Sequence, residues 1–425
     1  IPNNGKDDDN NGYIDDVNGW NFLGESNNEQ LEYVRLIASG DATHPRYAEA
    51  KELLTKERES TSRLKRQYDG IIGKLSAADA AVADYLKNPN YTKEDVEGIS
   101  TTEKALLKHV NIIKQSYGFG FESMDAMMKD MKRGLKSFND RLNYSLNVDF
   151  DGRSVVGDNP NDLNDRSYGN NDVRPKNGRS HGTHVSGIIA AKRNNGIGMN
   201  GVANNVKIMA IRNTPNGDEY DKDVALGVYY AVDNGAKVIN MSFGKKFSPH
   251  SDWVRDAIAY AAKKDVLIIA AAGNDGKNTD ENNYFPNDQI DNGTEVANNF
   301  VKVGSNGTKY GSTLAASYSN YGKNTVDVFA PGSQIYSTYP KNNYEFASGT
   351  SMASPLVAGV AALIFSQYPN LSAVQVKQIL MTSGIAINKK VSLETGVVVP
   401  FSELSKSGTI VNVYNALLMA SKLSK

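Results

Sequence analysis

The sequence predicts an α/β protein with a mostly parallel central sheet and an inserted helical segment near its N-terminus. Two observations carry this prediction. Short apolar runs alternate with helical patterns throughout Asn147–Lys425, an order typical of parallel strands joined by crossover helices. Between residues 46 and 142, by contrast, apolar residues recur at steps of three and four, which indicates helices alone.

Composition divides the chain into three segments, Ile1–Gly24, Glu25–Leu146 and Asn147–Lys425. The first is rich in Asp, Asn and Gly, and its stretch Gly5–Asp16 cannot form a regular helix or strand because these residues favour turns. We therefore expect 1–24 and 147–425 to belong to one domain, with 25–146 inserted between them.

The inserted segment predicts an antiparallel helical hairpin or small bundle. A first helix runs from about Arg46 to Leu86, and Asn88-Pro89-Asn90 ends it. Ser100-Thr101-Thr102-Glu103 has the spacing of a capping box and predicts the start of a second helix. A third helix has methionines at helical spacing from Met124 onward, a pattern that indicates core packing.

The long C-terminal segment predicts the strands and crossover helices of the sheet. The predicted strands are Val206–Ile211, Val238–Met241, Val266–Ala271 and Val326–Phe329. The predicted crossover helices are Tyr220–Gly235 and Asp252–Lys264.

Charge and composition exclude several classes of function. The 425 residues contain 47 Lys+Arg and 48 Asp+Glu, so the net charge of −1 does not favour nucleic acid. The run Lys51–Arg66 alternates in sign and indicates a solvated helix face. Without cysteine, disulfides, thiolate metal sites and cysteine nucleophiles are excluded. The longest apolar run, Pro355–Phe365, is too short to predict a membrane span.

Three segments place a reactive side chain where a strand is expected to give way to a helix. They are His181-Gly182-Thr183-His184-Val185-Ser186-Gly187, Ala271-Ala272-Gly273-Asn274-Asp275-Gly276 and Gly349-Thr350-Ser351-Met352-Ala353-Ser354-Pro355. A serine hydroxyl needs an adjacent base to attack a carbonyl, and His181 is the natural base for Ser351. The apolar helix predicted over Ala353–Phe365 points its N-terminal N–H groups towards this centre.

Together with Asn240-Met241-Ser242-Phe243-Gly244, these segments closely resemble the subtilisin-like serine proteases (subtilases, peptidase family S8) of bacterial type. The resemblance covers 1–24 and most of 147–425. It implies a subtilisin-like three-layer fold and a serine endopeptidase that forms an acyl-enzyme on Ser351. His181 then acts as general base and acid, and Asn274 stabilises the oxyanion together with the Ser351 N–H.

The resemblance also implies a substrate-binding strand, Ser242, Phe243 and Gly244, beside which a protein or peptide substrate lies extended. This strand contains no acidic residue, so we expect a preference for an apolar or aromatic side chain. Tyr284-Phe285-Pro286 is expected to line the pocket for it.

The third member of the catalytic triad, an Asp, is missing from its usual place before His181. Asp149 and Asp151 are candidates within the chain, although they do not follow an apolar strand. In bacterial subtilases a loop like Asn3–Asp16 comes just after the strand that bears the Asp. The resemblance therefore implies that this Asp lies upstream of Ile1, on a segment that is cleaved off, is absent from this chain, or is present as a separate N-terminal fragment that could be a partner of the chain.

The N-terminal loop has the spacing of a calcium site. Oxygens at loop positions 1, 3, 5, 7 and 9 come from Asp7, Asp9, Asn11, the Tyr13 carbonyl and Asp15. Gly12 permits the sharp turn. Asn18 stands where a bidentate Glu is usual, and Asp16 is available to compensate. We expect a structural calcium ion here.

Three other hypotheses remain open. The chain could be a non-catalytic binding or adaptor protein on the same fold, or its helical insert could gate the cleft. His181 and His184, three residues apart on one helix, could share a metal ion. The resemblance further implies a bacterial protein that is exported, to the periplasm, the cell surface or the medium.

Overall fold

The parallel sheet predicted from the apolar runs is present in the computed structural model, which describes residues 4–176, 179–291 and 293–424. Short π and 3-10 helices lie at Arg141–Ser145 and Phe401–Glu403. The other elements in chain order are β1 Gly19–Asn21, α1 Glu32–Ala38, α2 Tyr47–Leu86, α3 Lys93–Glu97, α4 Lys104–Tyr117, α5 Met124–Asp140, α6 His181–Ala190, β2 Ala210–Arg212, α7 Asp221–Asp233, β3 Val238–Met241, α8 Ser251–Lys263, β4 Leu267–Ala271, β5 Phe300–Asn306, β6 Val328–Pro331, β7 Ile335–Tyr339, β8 Asn343–Ala347, α9 Thr350–Gln367, α10 Ala373–Thr382, β9 Ile385–Ala386, β10 Lys390–Ser392, β11 Val398–Pro400, β12 Thr409–Ile410 and α11 Val413–Leu423.

The chain forms two compact units. The first combines Ile1–Glu32 with Gly152–Lys425, and the second is Tyr33–Asp151. The two units do not test the domain boundaries predicted from composition, after residues 24 and 146. Those boundaries stay a prediction.

The second unit is helical, and its long helix α2 begins one residue after the predicted start and ends at the predicted residue, Leu86. Buried side chains of α2, α4 and α5 form one core, which includes three of the Met residues. The predicted capping box at residues 100–103 is wrong. There the Thr101 hydroxyl accepts the Glu103 N–H at 3.2 Å, which holds an extended turn, and α4 begins only at Lys104. The box forms instead at Thr92 and Asp95, before α3.

The first unit has three layers around a six-stranded sheet of order β3-β4-β5-β6-β12-β9, in which only the β12–β9 pair is antiparallel. All five residues of β4 are buried, and their side chains alternate between two cores. Leu267 and Ile269 pack with α9, α10 and α11 on one face. Ile268 and Ala270 pack with α7 and α8 on the other. This is the predicted α/β architecture, with a mostly parallel sheet between two layers of helices.

The central strand and helix predictions agree with the structure within a few residues. β3 has the predicted bounds, and β2 is shorter than predicted because residues 206–209 precede its pairing with β1. The predictions omitted β5, whose seven residues are all buried, because Lys302, Ser305 and Asn306 interrupt its apolar pattern. They also omitted the hairpin of β7 and β8.

A second, two-stranded parallel sheet is formed by β1 and β2. The helix α7 covers both sheets. Its Leu226 and Tyr230 pack with Trp20 and Phe22 around β1, whereas its Val224, Ala225, Val228 and Val232 pack against β3 and β4. The two sheets therefore share one covering helix, and among the described residues β2 and β3 do not pair with each other.

The apolar helix α9 is longer than the run predicted from sequence. By length and composition its 18 residues would suffice to cross a membrane, but 67% of that window is buried inside the protein. Its Val357, Ala358, Val360 and Ala361 lie in the core beside the sheet. We therefore identify α9 as the central core helix of the first unit.

Candidate active site

Ser351 is the second residue of α9, at the N-terminal end where helical N–H groups lack partners within the helix. Pro355, four residues later, has no N–H to donate to the Ser351 carbonyl. The Ser242 hydroxyl takes that role and donates to the Ser351 carbonyl at 2.9 Å. In return, the Ser351 hydroxyl donates to the Ser242 carbonyl at 3.0 Å. These two hydrogen bonds fix the serine against the end of β3.

Asn274 lies in the turn after β4, and its side-chain oxygen is held by Thr350. That oxygen accepts the Thr350 N–H at 2.8 Å and the Thr350 hydroxyl at 3.0 Å. The same hydroxyl accepts the Gly273 N–H at 3.1 Å. Because the carboxamide oxygen faces these donors, its Nδ2 is directed away from Thr350, and the side chain is exposed. The amide is therefore oriented as a hydrogen-bond donor beside Ser351.

Two further residues support this arrangement and were not assigned a role from sequence. The Ser354 hydroxyl donates to the Asn240 Oδ1 at 2.8 Å, and the Asn240 Nδ2 donates to the Ser242 hydroxyl at 2.9 Å. A continuous chain of hydrogen bonds thus joins α9 to β3. The sequence gives little indication of these two roles. Ser and Asn residues are common in protein cores, and their hydrogen-bond partners are known only from the structure.

His181 is the first residue of α6. One helical turn after His181, α6 packs against α9. Val185 of α6 and Met352 of α9 are buried in one apolar cluster, so both helices bring their N-terminal residues to the same end. Among the described residues no strand precedes His181 directly, contrary to expectation, and its ring makes no hydrogen bond or ion pair. Desolvation by the surrounding protein, followed by the charge of His184, lowers the pKa of His181 below its usual 6.5.

His184 is not arranged for a metal shared with His181. Its ring is buried, and its Nε2 lies 3.1 Å from both the Ile335 and the Glu345 carbonyl oxygens, to which it donates. Within residues 4–176, 179–291 and 293–424, no group of three His, Cys, Asp or Glu side chains could hold a metal ion. We therefore abandon the two-histidine hypothesis.

The predicted substrate strand continues β3 to the surface. Ser242 is buried, whereas Phe243 is half-buried and packs on the core under α7 and α8. Gly244 is followed by Lys245, whose backbone pairs with Phe285 in both directions at 2.8 and 2.9 Å. Tyr284 donates its hydroxyl to the Gly244 carbonyl at 3.0 Å.

The N-terminal loop is closed by its own carboxylates. Asp7 accepts the N–H groups of Asn11 and Gly12 at 3.1 and 2.8 Å, and Asp15 accepts those of Asn4 and Gly5 at 2.9 and 2.8 Å. These hydrogen bonds shape the loop. Each carboxylate oxygen still has a second lone pair that could bind a cation.

The remaining members of the predicted calcium site are anchored by neighbours. The Asn11 amide N–H₂ points to Asp16 at 2.9 Å and to Asp9 at 3.3 Å. The ring of Tyr13 packs edge-on against Trp20, 4.9 Å between centroids. Asp16 also accepts the Tyr230 hydroxyl at 2.6 Å. The oxygens are of the type that calcium prefers, but no three carboxylates among the described residues are grouped to hold a metal ion, and Asn11 directs a nitrogen towards its acidic neighbours.

Asp149 and Asp151 close the second unit, in turns that follow the π helix. Asn147 accepts the Asp149 N–H at 3.1 Å, a local turn. Neither residue follows a strand directly, whereas a triad Asp is expected at the end of an apolar strand.

Comparison with known proteins decides the family. The model of the subtilase family, peptidase S8, matches residues 143–399, more than half of the chain. The chain belongs to the subtilase family.

Among curated relatives of this subtilase, a thermophilic serine proteinase of Bacillus sp. (strain AK1) is 40% identical over 223 residues, 52% of this chain and 49% of that protein. Thermitase of Thermoactinomyces vulgaris is 42% identical over 202 residues, 46% of this chain and 65% of that protein. A solved protease structure from Pseudoalteromonas arctica is 32% identical, covers 56% of this chain and 70% of that one, and superposes with a TM-score of 0.47. The chain thus spans about half to two thirds of the first two relatives.

The subtilase site brings Ser351, Asn274 and Ser242 into one hydrogen-bonded arrangement and places His181 on the adjoining helix. Such an arrangement offers a hydroxyl nucleophile, an amide donor beside it and an imidazole with a lowered pKa. These are the groups that acyl transfer requires.

Proposed function

We propose that this subtilase is a serine endopeptidase that hydrolyses peptide bonds in proteins and peptides through an acyl-enzyme on Ser351. The observation that carries the proposal is the reciprocal pair of hydrogen bonds between Ser351 and Ser242, which holds the hydroxyl at the N-terminus of α9. Ser351 is only half-buried, and it directly follows Thr350, which holds the Asn274 amide.

His181 is the general base and then the general acid. The Ser351 hydroxyl turns from the Ser242 carbonyl towards the imidazole, which takes its proton as the oxygen attacks the substrate carbonyl carbon. The protonated imidazole then gives that proton to the leaving amine, and the C–N bond breaks. A water molecule then attacks the acyl carbon while His181 takes its proton. His181 returns that proton to the Ser351 oxygen as the ester bond breaks, and the acyl group leaves as a carboxylic acid. The lowered pKa of His181 keeps its ring neutral, as a base must be, at pH 7.

Asn274 stabilises the oxyanion of the tetrahedral intermediate. Thr350 holds the carboxamide oxygen with two hydrogen bonds, so that Nδ2 donates without reorganisation. The Ser351 N–H, one of the free N–H groups at the start of α9, is the second donor.

The substrate pairs with Ser242, Phe243 and Gly244 as an added strand. Support comes from the position of these residues directly after β3, where the backbone leaves the sheet beside the nucleophile. The Gly244 carbonyl already accepts the Tyr284 hydroxyl, and its second lone pair remains for a substrate N–H.

A carboxylate completes the triad from a strand between β2 and β3. Support comes from the covering helix α7, which packs on the β1–β2 sheet and on β3–β4, while three of the four residues of β3 are only half-buried. A parallel strand placed there would pair with β2 and β3, and an Asp on it would be the third member of the triad. This Asp would orient the imidazole, and its loss lowers turnover about 10⁴-fold in a worked serine protease.

Calcium is the proposed structural cofactor, held by the oxygens of Asp7, Asp9, Asn11, Tyr13 and Asp15. The spacing of these residues along the loop supports it, and the loop must draw its carboxylates together around the ion, since no three of the described ones are grouped for a metal. The ion would link the loop to the aromatic cluster around Trp20 and stabilise the folded form.

Export to the periplasm, the cell surface or the medium completes the proposal. Support comes from relatives such as a cell wall-associated protease of Bacillus subtilis, 36% identical over 230 residues. We propose no nucleic-acid partner, in keeping with a net charge of −1.

The alternative, a non-catalytic adaptor on this fold, is favoured by one observation. The His181 ring has no acidic partner among the described residues. A hydrolase assay separates the two functions.

The test is hydrolysis of casein and of short peptide amides, with the variants Ser351→Ala and Ser366→Ala. Ser366 lies on the same helix and is exposed, so its variant controls for helix stability. We expect Ser351→Ala to lose at least about 10³-fold in kcat and Ser366→Ala to match the unsubstituted chain. Undiminished hydrolysis by both variants would overturn the proposal. No hydrolysis by the unsubstituted chain or by either variant would favour the adaptor.

A further inference from the structure

The geometry around Ser351 defines where the substrate side chain before the scissile bond must lie. The scissile carbonyl carbon must approach the Ser351 hydroxyl to about 3 Å, with its oxygen about 3 Å from the Asn274 amide. Because the Ser351 hydroxyl is 3.0 Å from the Ser242 carbonyl, the substrate residue lies beside Ser242–Gly244. The backbone segments that end in Gly244 and in Gly273 lie on either side of the Tyr284 ring, and an extended substrate would direct this side chain between them.

The ring of Tyr284 already lies between these two glycines. A Cβ added to Gly244 would come within 2.5 Å of the Tyr284 Cε1, and a Cβ added to Gly273 within 2.7 Å of its Cζ. Gly273 also has φ +102°, a conformation that favours glycine. Both glycines therefore allow an aromatic ring to contact bare backbone on two sides.

Tyr284 is held in this place at both ends. Its hydroxyl donates to the Gly244 carbonyl at 3.0 Å, and its own carbonyl accepts the buried Lys302 ammonium at 3.0 Å. The next residue, Phe285, is paired with Lys245 through two backbone hydrogen bonds. Moving the ring would break the hydroxyl bond and open a void between the glycines.

We propose that Tyr284 limits the substrate residue before the scissile bond to small side chains, Gly, Ala or Ser. The inference rests on the proposed endopeptidase function and names its substrate class. It replaces the apolar or aromatic preference expected from sequence, because the aromatic ring that was expected to line the pocket occupies it.

The test uses peptide amides that differ only in the residue before the scissile bond, Ala or Phe, on the unsubstituted chain. We expect kcat/KM for Ala to exceed that for Phe about 100-fold, since a well-packed site accommodates added bulk poorly. Equal cleavage of both substrates would overturn the inference.

Two variants make the test specific to the ring. Tyr284→Phe retains the ring and should keep the preference for Ala, whereas Tyr284→Gly should raise the kcat/KM for Phe and remove or invert the preference. An unchanged Ala-to-Phe ratio in folded Tyr284→Gly would overturn the inference. If Tyr284→Gly does not fold, Tyr284→Ala replaces it, and the ratio on the unsubstituted chain decides independently.

A small alkyl fluorophosphonate, which has no such side chain, separates this inference from the proposed function. Labelling of Ser351 without discrimination between the Ala and Phe peptides overturns the inference alone. Absence of both labelling and hydrolysis overturns the proposed function, and the inference with it.

Discussion

At the residue scale, the most informative contact is the pairing of Ser242 with Ser351. Pro355 removes the helical donor that the Ser351 carbonyl would otherwise have, and the Ser242 hydroxyl replaces it at 2.9 Å. A single hydroxyl thus satisfies a backbone carbonyl and joins the end of β3 to the start of α9.

Replacing Ser242 by Ala should therefore lower the free energy of unfolding by about 1–3 kcal/mol, because the Ser351 carbonyl and the Asn240 amide lose a partner. Urea unfolding measures the change. Ser242→Thr retains the hydroxyl and should lose less, while Ser366→Ala should lie within about 0.5 kcal/mol of the unsubstituted chain. A stability of Ser242→Ala equal to that of the Ser366 control would contradict this account.

The second residue-scale prediction concerns His181. Its pKa is lowered in the folded chain, first by desolvation and then by His184. Below pH 6.5 the unfolded chain therefore binds more protons, and the free energy of unfolding should rise with pH from the lowered folded value up to 6.5.

Ring NMR of His181, assigned with His181→Gln, should give a pKa below 6.5 in this chain. A folded pKa above 6.5 in the chain without an acidic partner would contradict the description of the site.

At the scale of elements, the sequence predicted most of what its local patterns encode. The alternation of apolar runs placed β3 and β4, and the three- and four-residue period placed α2, because burial on one face imposes these periods directly. The motifs likewise predicted that Ser351 and His181 lie where helices begin, although no described strand directly precedes His181. What the patterns did not show was β5, whose buried Lys302 and Asn306 hide its period, or which of two similar capping sequences forms a box.

The pairing of those elements gives an element-scale prediction. Among the described residues β3 pairs with β4 alone, whereas β4 pairs with both β3 and β5. The amides of residues 238–241 should therefore exchange hydrogen faster than those of residues 267–271. Hydrogen exchange with mass spectrometry measures both. Equal exchange in the two strands would contradict this sheet order.

At the scale of the whole molecule, the sequence could separate a helical unit from a sheet unit but could not say what the helical unit does. The three- and four-residue spacing of its apolar residues indicates only which of them form its own core, such as Val82, Ile113 and Met127. Such packing stabilises a unit whatever surface it presents. The pocket-filling position of Tyr284 was hidden for a related reason, since it depends on two glycines far from it in sequence.

Stability of the whole molecule should respond to calcium. Saturation at 100 times the Kd should add about 2.7 kcal/mol to the free energy of unfolding, and EGTA should remove it. The measurement is the melting temperature with calcium and with EGTA. Asp9→Ala should abolish the difference, whereas Asp8→Ala, outside the proposed ligand set, should keep it. A melting temperature independent of calcium would exclude the site.

The central claim, that Ser351 is the nucleophile of an acyl-transfer site, is tested most directly by labelling with a fluorophosphonate serine-hydrolase probe. Peptide mapping by mass spectrometry identifies the modified residue. The account predicts one adduct, on Ser351, that is absent from Ser351→Ala and unchanged in Ser366→Ala. A folded protein that takes no label, or takes it on another serine, would contradict it.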